Sequence, residues 1–107
     1  MRSVLEEVVA HLAATLDVPV STEVPIDRPP SFVLVDHVGG RSTRDALHPD
    51  VAIQAWAKSA ADAESLVRDA CDAMLGMNAD VFADPVPLGT DGDWRWWQVT
   101  FTIHALW

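Results

Sequence analysis

Apolar residues recur every three or four positions in two segments of the chain, which is the spacing of one face of a helix. In the first segment these positions are Leu5, Val8, Val9, Leu12 and Leu16. Ser3 and Glu6 match the spacing of a capping box, and Pro19 prevents the helix from continuing. The pattern predicts a first helix with one apolar stripe packed on a sheet.

The second helical segment follows Lys58 and extends to about Leu75. Ser59 is a candidate N-cap with Asp62 at the third helical position, and Gly76 is a candidate residue for the C-terminal cap. The predicted buried stripe consists of Ala63, Leu66, Val67, Ala70, Cys71 and Met74. The predicted outer face carries Asp62, Glu64, Arg68, Asp69 and Asp72.

Alternation of apolar and polar residues predicts strands over 18–24, 31–38, 51–58 and 94–107, with a short extended segment around 81–88. A turn is expected at 89–93. The order is α-β-β-β-α-(β)-β, which predicts an α+β fold. Two helices would pack on a mostly antiparallel or mixed sheet of four to five strands. Residues 1–107 form one domain, because no repeat or linker divides them.

Composition then limits the classes of function. Seven Lys and Arg against sixteen Asp and Glu give a net charge of −9. This charge argues against a simple nucleic-acid binder, which would carry a basic patch. The single cysteine, Cys71, excludes an internal disulfide and fits a reducing compartment. We expect no signal peptide and no membrane span, because no apolar run has the required length or flanks.

A polar stretch, DHVGGRSTRDALHPD at 36–50, is the strongest candidate for chemistry. His37, Asp45, His48 and Asp50 are possible metal ligands, but they lack the H-x-x-x-H or C-x-x-C spacing that would fix two donors. Cys71 lies at a predicted buried position, where a thiol is inert. The stretch is therefore interpreted as an exposed connection between two strands, with no catalytic, cofactor-binding or metal residues assigned.

Three of the five tryptophans crowd into one short segment at 94–97. Trp94 and Trp96 share one face of the predicted strand, and Trp97 lies on the other. A small core covers one or two such rings, so Trp94 and Trp96 are assigned equally to an interface or to the core, and Trp97 to the core. Arg95 could stack or pair across an interface.

The chain resembles the tail terminator, or minor tail, proteins of long-tailed bacteriophages, especially those of actinobacterial hosts. The resemblance covers nearly the whole chain. It is carried by the first helix ending before VPV, by RPPSFVLVDHVGG, by VAIQAWAKSAADAESLVRDACDAML and by DWRWWQVTFTIHALW.

The resemblance implies a structural virion protein rather than an enzyme. Such proteins form a homo-hexameric ring at the head-proximal end of the tail tube, end its polymerisation and present a docking surface to the head–tail connector or neck protein. They are assembled in the host cytoplasm, and genomic DNA passes through the channel without specific binding. For this chain the resemblance implies subunit or tube contacts at Arg41, Arg44, His48, Trp94, Arg95 and Trp96. Candidate channel-facing acidic residues are Asp62, Asp69 and Asp72.

Two alternatives stay open at this point. Other head–tail joining proteins share the same layout and stoichiometry, and fold alone does not fix function. An alternative of another class is a small metal-dependent enzyme that uses His37, His48 and Asp50. Bound metal in the purified protein would favour the enzyme, and a ring without metal would favour a virion protein.

Overall fold

A computed structural model of the chain describes residues 4–42 and 46–106. The helices are α1 (Val4–Thr15) and α2 (Ala60–Met74). The strands are β1 (Val20–Ser21), β2 (Ser31–Ser42), β3 (Ala46–Ala57), β4 (Ala79–Asp91), β5 (Trp94–Ile103) and β6 (Ala105–Leu106). The predicted α+β fold, with its order of helices and strands, is confirmed.

The sheet has the order β1-β2-β3-β5-β4, and β6 pairs with β3 beyond the end of β5. β1 runs parallel to β2, and the other pairings are antiparallel. The chain therefore crosses from β3 through α2 to β4 at the far edge of the sheet. The β4–β5 hairpin then brings β5 back between β4 and β3. The central strands are β3 and β5, which explains why their sequences are the most apolar.

Both helices pack on the same face of the sheet. α1 contributes Val8 and Leu12, which are fully buried. The sheet contributes the alternate residues of its central strands. α2 contributes most of its predicted stripe, with Cys71 half-buried and Ala73 as an additional buried residue. The buried core on this face contains Val33, Val35, Val51, Ile53, Ala55, Leu66, Val67, Ala70, Ala73, Met74, Val99, Phe101 and Ile103. This side of the molecule is a conventional aliphatic core.

The N-cap predicted for α2 is present, and the predicted glycine C-cap is not. The Ser59 side chain accepts a hydrogen bond from the Asp62 backbone N–H at 3.1 Å, as predicted. Gly76 is not a left-handed cap, because among the described residues positive φ occurs at Gly92. A Cβ at Gly76 would instead lie 2.9 Å from the His11 ring. Gly76 therefore permits His11 Nε2–H to approach and donate to the Ala73 carbonyl at 2.6 Å.

Several predicted boundaries are wrong in extent. The stretch 36–50 is mostly strand: β2 continues to Ser42 and β3 begins at Ala46, so the connection is far shorter than expected. β4 spans Ala79–Asp91 despite Pro85 and Pro87. These prolines fit because β4 is an edge strand, where a missing N–H need not break a ladder. The turn occupies Gly92 and Asp93, with Gly92 at φ 60° as a type II′ hairpin requires.

Candidate functional site

The face of the sheet opposite the helices carries most of the unusual side chains. We call it the open face. It is formed by alternate residues that align across the strands, because β3 pairs with β5 in continuous register and β2 pairs with β3 in register up to His37, where the ladder shifts before Gly39. Its apolar end contains Phe32, Leu34, Trp56, Trp94 and Trp96. Its polar end contains His48, Asp50, Thr102 and His104.

The aromatic rings at the apolar end stack in one row. Phe32 pairs with Trp56 across β2 and β3, and Trp56 pairs with Trp96 across β3 and β5. The centroids of Trp56 and Trp96 are 4.1 Å apart at 12°, and those of Phe32 and Trp56 are 5.4 Å apart at 18°. Trp94 tilts against Phe32 at 58°. The rings shield one another, so Phe32 is fully buried although both described helices pack on the opposite face.

Two cations complete the cover of this row. The Arg28 guanidinium carbon lies 5.6 Å from the ring centroids of both Trp56 and Trp94. Arg28 also donates to an Asp91 carboxylate oxygen at 2.9 Å, which joins the segment before β2 to the β4–β5 hairpin. Lys58 Nζ lies 4.3 Å from the Trp94 centroid. Each cation is attracted by the electron-rich face of an indole.

Trp96 also covers the backbone of β4 at Gly89. A Cβ at Gly89 would lie 2.5 Å from Trp96 Cζ2, so only glycine leaves room for the ring. The Trp96 Nε1–H is buried and makes no hydrogen bond within the described part of the chain. Trp56 Nε1–H differs, because it donates to Gln54 Oε1 at 3.1 Å. The Gln54 amide in turn donates to Gln98 Oε1 at 3.0 Å.

At the polar end, a chain of hydrogen bonds links a side chain of β4, a side chain of β3 and His104, which lies between β5 and β6. His104 Nε2 lies 2.7 Å from Asp80 Oδ2, and His104 Nδ1 lies 2.9 Å from His48 Nδ1. A carboxylate only accepts, so neutral His104 carries its proton on Nε2 and presents a lone pair at Nδ1. His48 Nδ1–H then donates to it. Beside this chain, Thr102 Oγ1–H donates to Asp50 Oδ1 at 2.6 Å.

The residues assigned to subunit or tube contacts fall in different surroundings. Trp94 is buried, and Trp96 is half-buried within the aromatic row. Arg95 donates to the carbonyls of Gly92 and Trp94. His48 is half-buried beside His104. Arg41 pairs with His48 in the β2–β3 ladder, and Arg44 lies outside the described residues. The interface assignment stays a prediction, but the two tryptophans already have packing partners within the chain.

The other sequence-derived sites are also placed by the structure. Asp62, Asp69 and Asp72 are exposed on α2, and their channel-facing role stays a prediction. Burial, followed by the nearby Asp72 carboxylate, raises the pKa of the Cys71 thiol, which fits an unreactive cysteine. Trp97 packs against the aliphatic core as expected.

The structure separates two of the histidines considered in the metal hypothesis at 36–50. His37 pairs with Val51 and is exposed, whereas His48 pairs its ring with His104. Asp45 lies outside the described residues. Among the residues that are described, no three His, Cys, Asp or Glu side chains converge as a closed ligand set.

Sequence reasoning missed His104, Asp80, Arg28 and Gly89 as partners in this face. His104 falls at a polar position of the predicted last strand, whereas His48 was expected in the connection before the third strand. Their meeting depends on the β3–β5 register, which joins residues more than fifty positions apart. Gly89 gave no signal, because its constraint comes from a ring on the neighbouring strand.

The outer edge of β4 is the main apolar surface that the described residues leave uncovered. The strand order ends at β4, so its outer backbone groups face away from the sheet. Val81, Phe82, Val86 and Leu88 are 47–68% exposed along it. Asp80 and Asp84 are exposed beside them. An apolar edge strand of this length is a typical site of association with another chain.

Comparison of the sequence with protein-family models and with curated proteins gave no match. Within the described ranges, neither helix has the length and apolar character needed to cross a lipid bilayer.

Proposed function

We propose that this protein is a virion structural protein, a tail terminator that assembles as a six-membered ring at the head-proximal end of a phage tail tube. The ring ends tube polymerisation and offers its free side to the neck. The proposal takes its family from the resemblance in the sequence. It takes its strongest structural support from one observation, the long apolar edge of β4.

The edge of β4 suits association with a second copy in a head-to-tail manner. Phe82 and Val81 are 68% and 50% exposed, and they lie where the strand bulges away from β5. Pro85 and Pro87 remove backbone donors from the middle of the edge, so pairing is confined to the segments on either side. A contact between this edge and a different surface of the next copy is heterologous, and repeated contacts of this kind form a ring where the rotation between copies closes.

Charge supports the passage of DNA without retention. Six chains at −9 each carry roughly −54 formally, before screening by salt. The exposed outer face of α2 contributes Asp62, Asp69 and Asp72 to this charge. A channel of this sign repels the phosphate backbone, whereas a binding groove would be basic.

Electron microscopy of tails from a phage lacking this gene tests the proposal. Overlong or headless tails are expected, because nothing stops tube growth or prepares the tube for the head. Tails of normal length that fail to join heads would assign the protein to head–tail joining instead. Normal virions would contradict both roles.

Complementation of the same phage with Phe82→Glu tests the β4 edge. The variant places a charge where the neighbouring copy is expected to pack, so we expect folded protein that no longer caps tails. Leu75→Glu is the matched control, because Leu75 is 84% exposed at the end of α2 and not on β4. Normal tails with Phe82→Glu, at a wild-type level of folded protein, would remove β4 from the ring contact.

The contact assigned to Arg41 and Arg44 is tested in the same assay. The double variant Arg41→Glu and Arg44→Glu reverses one charge near the end of β2 and one outside the described residues. Loss of capping would support a contact of these arginines with the neighbouring subunit or the tube. Normal assembly would count against it.

A further inference from the structure

We propose that His48 and His104 form an open binding site for a divalent transition-metal ion of the Cu²⁺ class at the polar end of the open face. This site differs from the one considered at 36–50, because its second imidazole comes from the residue that follows β5. It concerns the isolated chain and is independent of ring formation.

The two facing nitrogens have the separation of neighbouring ligands on one metal ion. His48 Nδ1 and His104 Nδ1 are 2.9 Å apart, and their rings meet edge to face at 72°. With metal–nitrogen bonds of about 2.0–2.1 Å, two ligands at a right angle lie about 2.9 Å apart, and two tetrahedral ligands about 3.3 Å apart. Right-angled nitrogen donors are the arrangement of square-planar or tetragonal sites, which Cu²⁺ and Ni²⁺ prefer.

Asp80 prepares His104 to be the ligand. Its carboxylate accepts the His104 Nε2–H at 2.7 Å, which leaves the lone pair of His104 on Nδ1, the nitrogen that faces His48. Histidines that bind metals commonly donate their other N–H to a carboxylate in this way, which fixes the ring and raises its basicity. His48 needs only to move its proton from Nδ1 to Nε2 to offer a second lone pair.

The backbone of His104 is also held in place. Its N–H donates to the Asn78 carbonyl at 2.8 Å, and its carbonyl accepts from Asn78 Nδ2 at 3.1 Å. The side chain of His104 is 34% exposed, so an ion can reach the pair from solvent. Asp80 contacts His104, and Asp50 lies two positions after His48 along β3; both carboxylates add negative charge that attracts a cation.

Two nitrogens leave coordination positions for water. Since the described residues contain no closed set of three ligands, the ion is expected to exchange with solvent rather than to be held as a structural zinc would be. Cu²⁺ should bind most tightly, because it stands highest in the order of divalent first-row metals at nitrogen sites. Zn²⁺ should bind more weakly, since tetrahedral geometry requires the rings to separate.

Calorimetric titration of the chain with CuCl₂, after removal of any polyhistidine tag, tests the site. One ion per chain is expected, with an electron paramagnetic resonance spectrum of two nitrogen donors. His48→Ala and His104→Ala should each abolish this binding. Asp80→Asn keeps both ligands and should weaken binding ~10–100-fold, the effect usual for a carboxylate that orients a ligand.

His37→Ala is the matched control, because His37 is an exposed strand histidine outside the pair. It should leave the titration unchanged. Copper binding that survives His104→Ala, or that His37→Ala removes, would overturn the proposal, as would the absence of saturable binding. Circular dichroism of each variant separates a lost ligand from a lost fold.

Discussion

The two faces of the sheet bury their apolar side chains by different means. On the helix face, α1 and α2 cover aliphatic residues such as Ile53 and Val67, which are fully buried. On the open face none of the described residues forms a helix, yet Phe32 is also fully buried and Trp56 is 6% exposed. Large rings stacked across three strands, with Arg28 above them, replace the second layer. A small α+β domain can therefore bury both faces of its sheet with helices on only one.

The largest expected effect tests whether the open face is a true core. Phe32→Ala should lower the free energy of unfolding by ~3–5 kcal/mol, because it leaves a cavity beneath Trp56 and Trp94. Ile53→Ala, on the helix face, should cost ~2–5 kcal/mol. Urea unfolding measures both. The comparison of the two faces breaks down if Phe32→Ala costs no more than Val38→Ala, an exposed control on the same strand.

An intermediate effect is expected at the contact of Trp96 with β4. Gly89→Ala places a methyl group within 2.5 Å of the indole, so the ring must leave the stack or the strand must shift. Overpacking of this kind costs ~1–3 kcal/mol, visible as a lower Tm and as altered tryptophan fluorescence.

Gly39→Ala is the control for this substitution. Its added Cβ would meet nothing closer than 3.9 Å, so the Tm should hardly change. Equal effects of the two substitutions would show that Trp96 does not constrain β4.

The smallest effect concerns the ion pair that ties the segment before β2 to the β4–β5 hairpin. Arg28 and Asp91 are 31% and 54% exposed, so solvent screens their attraction. A double-mutant cycle with Arg28→Ala and Asp91→Ala should give a coupling of ~0.2–1 kcal/mol. The coupling should fall in high salt.

The exposed pair of Arg68 and Glu64 on α2 provides a reference of ~0.3–0.5 kcal/mol. A coupling between Arg28 and Asp91 well above this reference would mean that the ion pair, rather than the ring contacts, holds the segment over the aromatic row.

The helix face could be predicted from the sequence because its information is local. The spacing of Leu66, Val67 and Ala70 identifies the buried stripe of α2, and the Ser59 cap marks where the helix begins. Strand alternation likewise places Trp97 on the side opposite Trp94 and Trp96. These features depend on the periodicities of helices and strands, which can be recognised within about a dozen consecutive residues.

The open face could not be predicted to the same depth because its contacts join distant parts of the chain. Gln54 with Gln98 and His48 with His104 meet only through the β3–β5 register. The extent of β2 and β3 was underestimated for a related reason. Gly39 and Pro49 disfavour a strand locally, yet both are paired in the hairpin that tertiary context imposes.

Cryo-electron microscopy of the head-proximal end of intact tails tests the central claim most directly. The account predicts a ring of six copies on the last tube ring, with the β4 edge of each copy against its neighbour. Density at that position that six copies of this fold do not fit, or a ring in which Val81 and Phe82 face solvent, would contradict it.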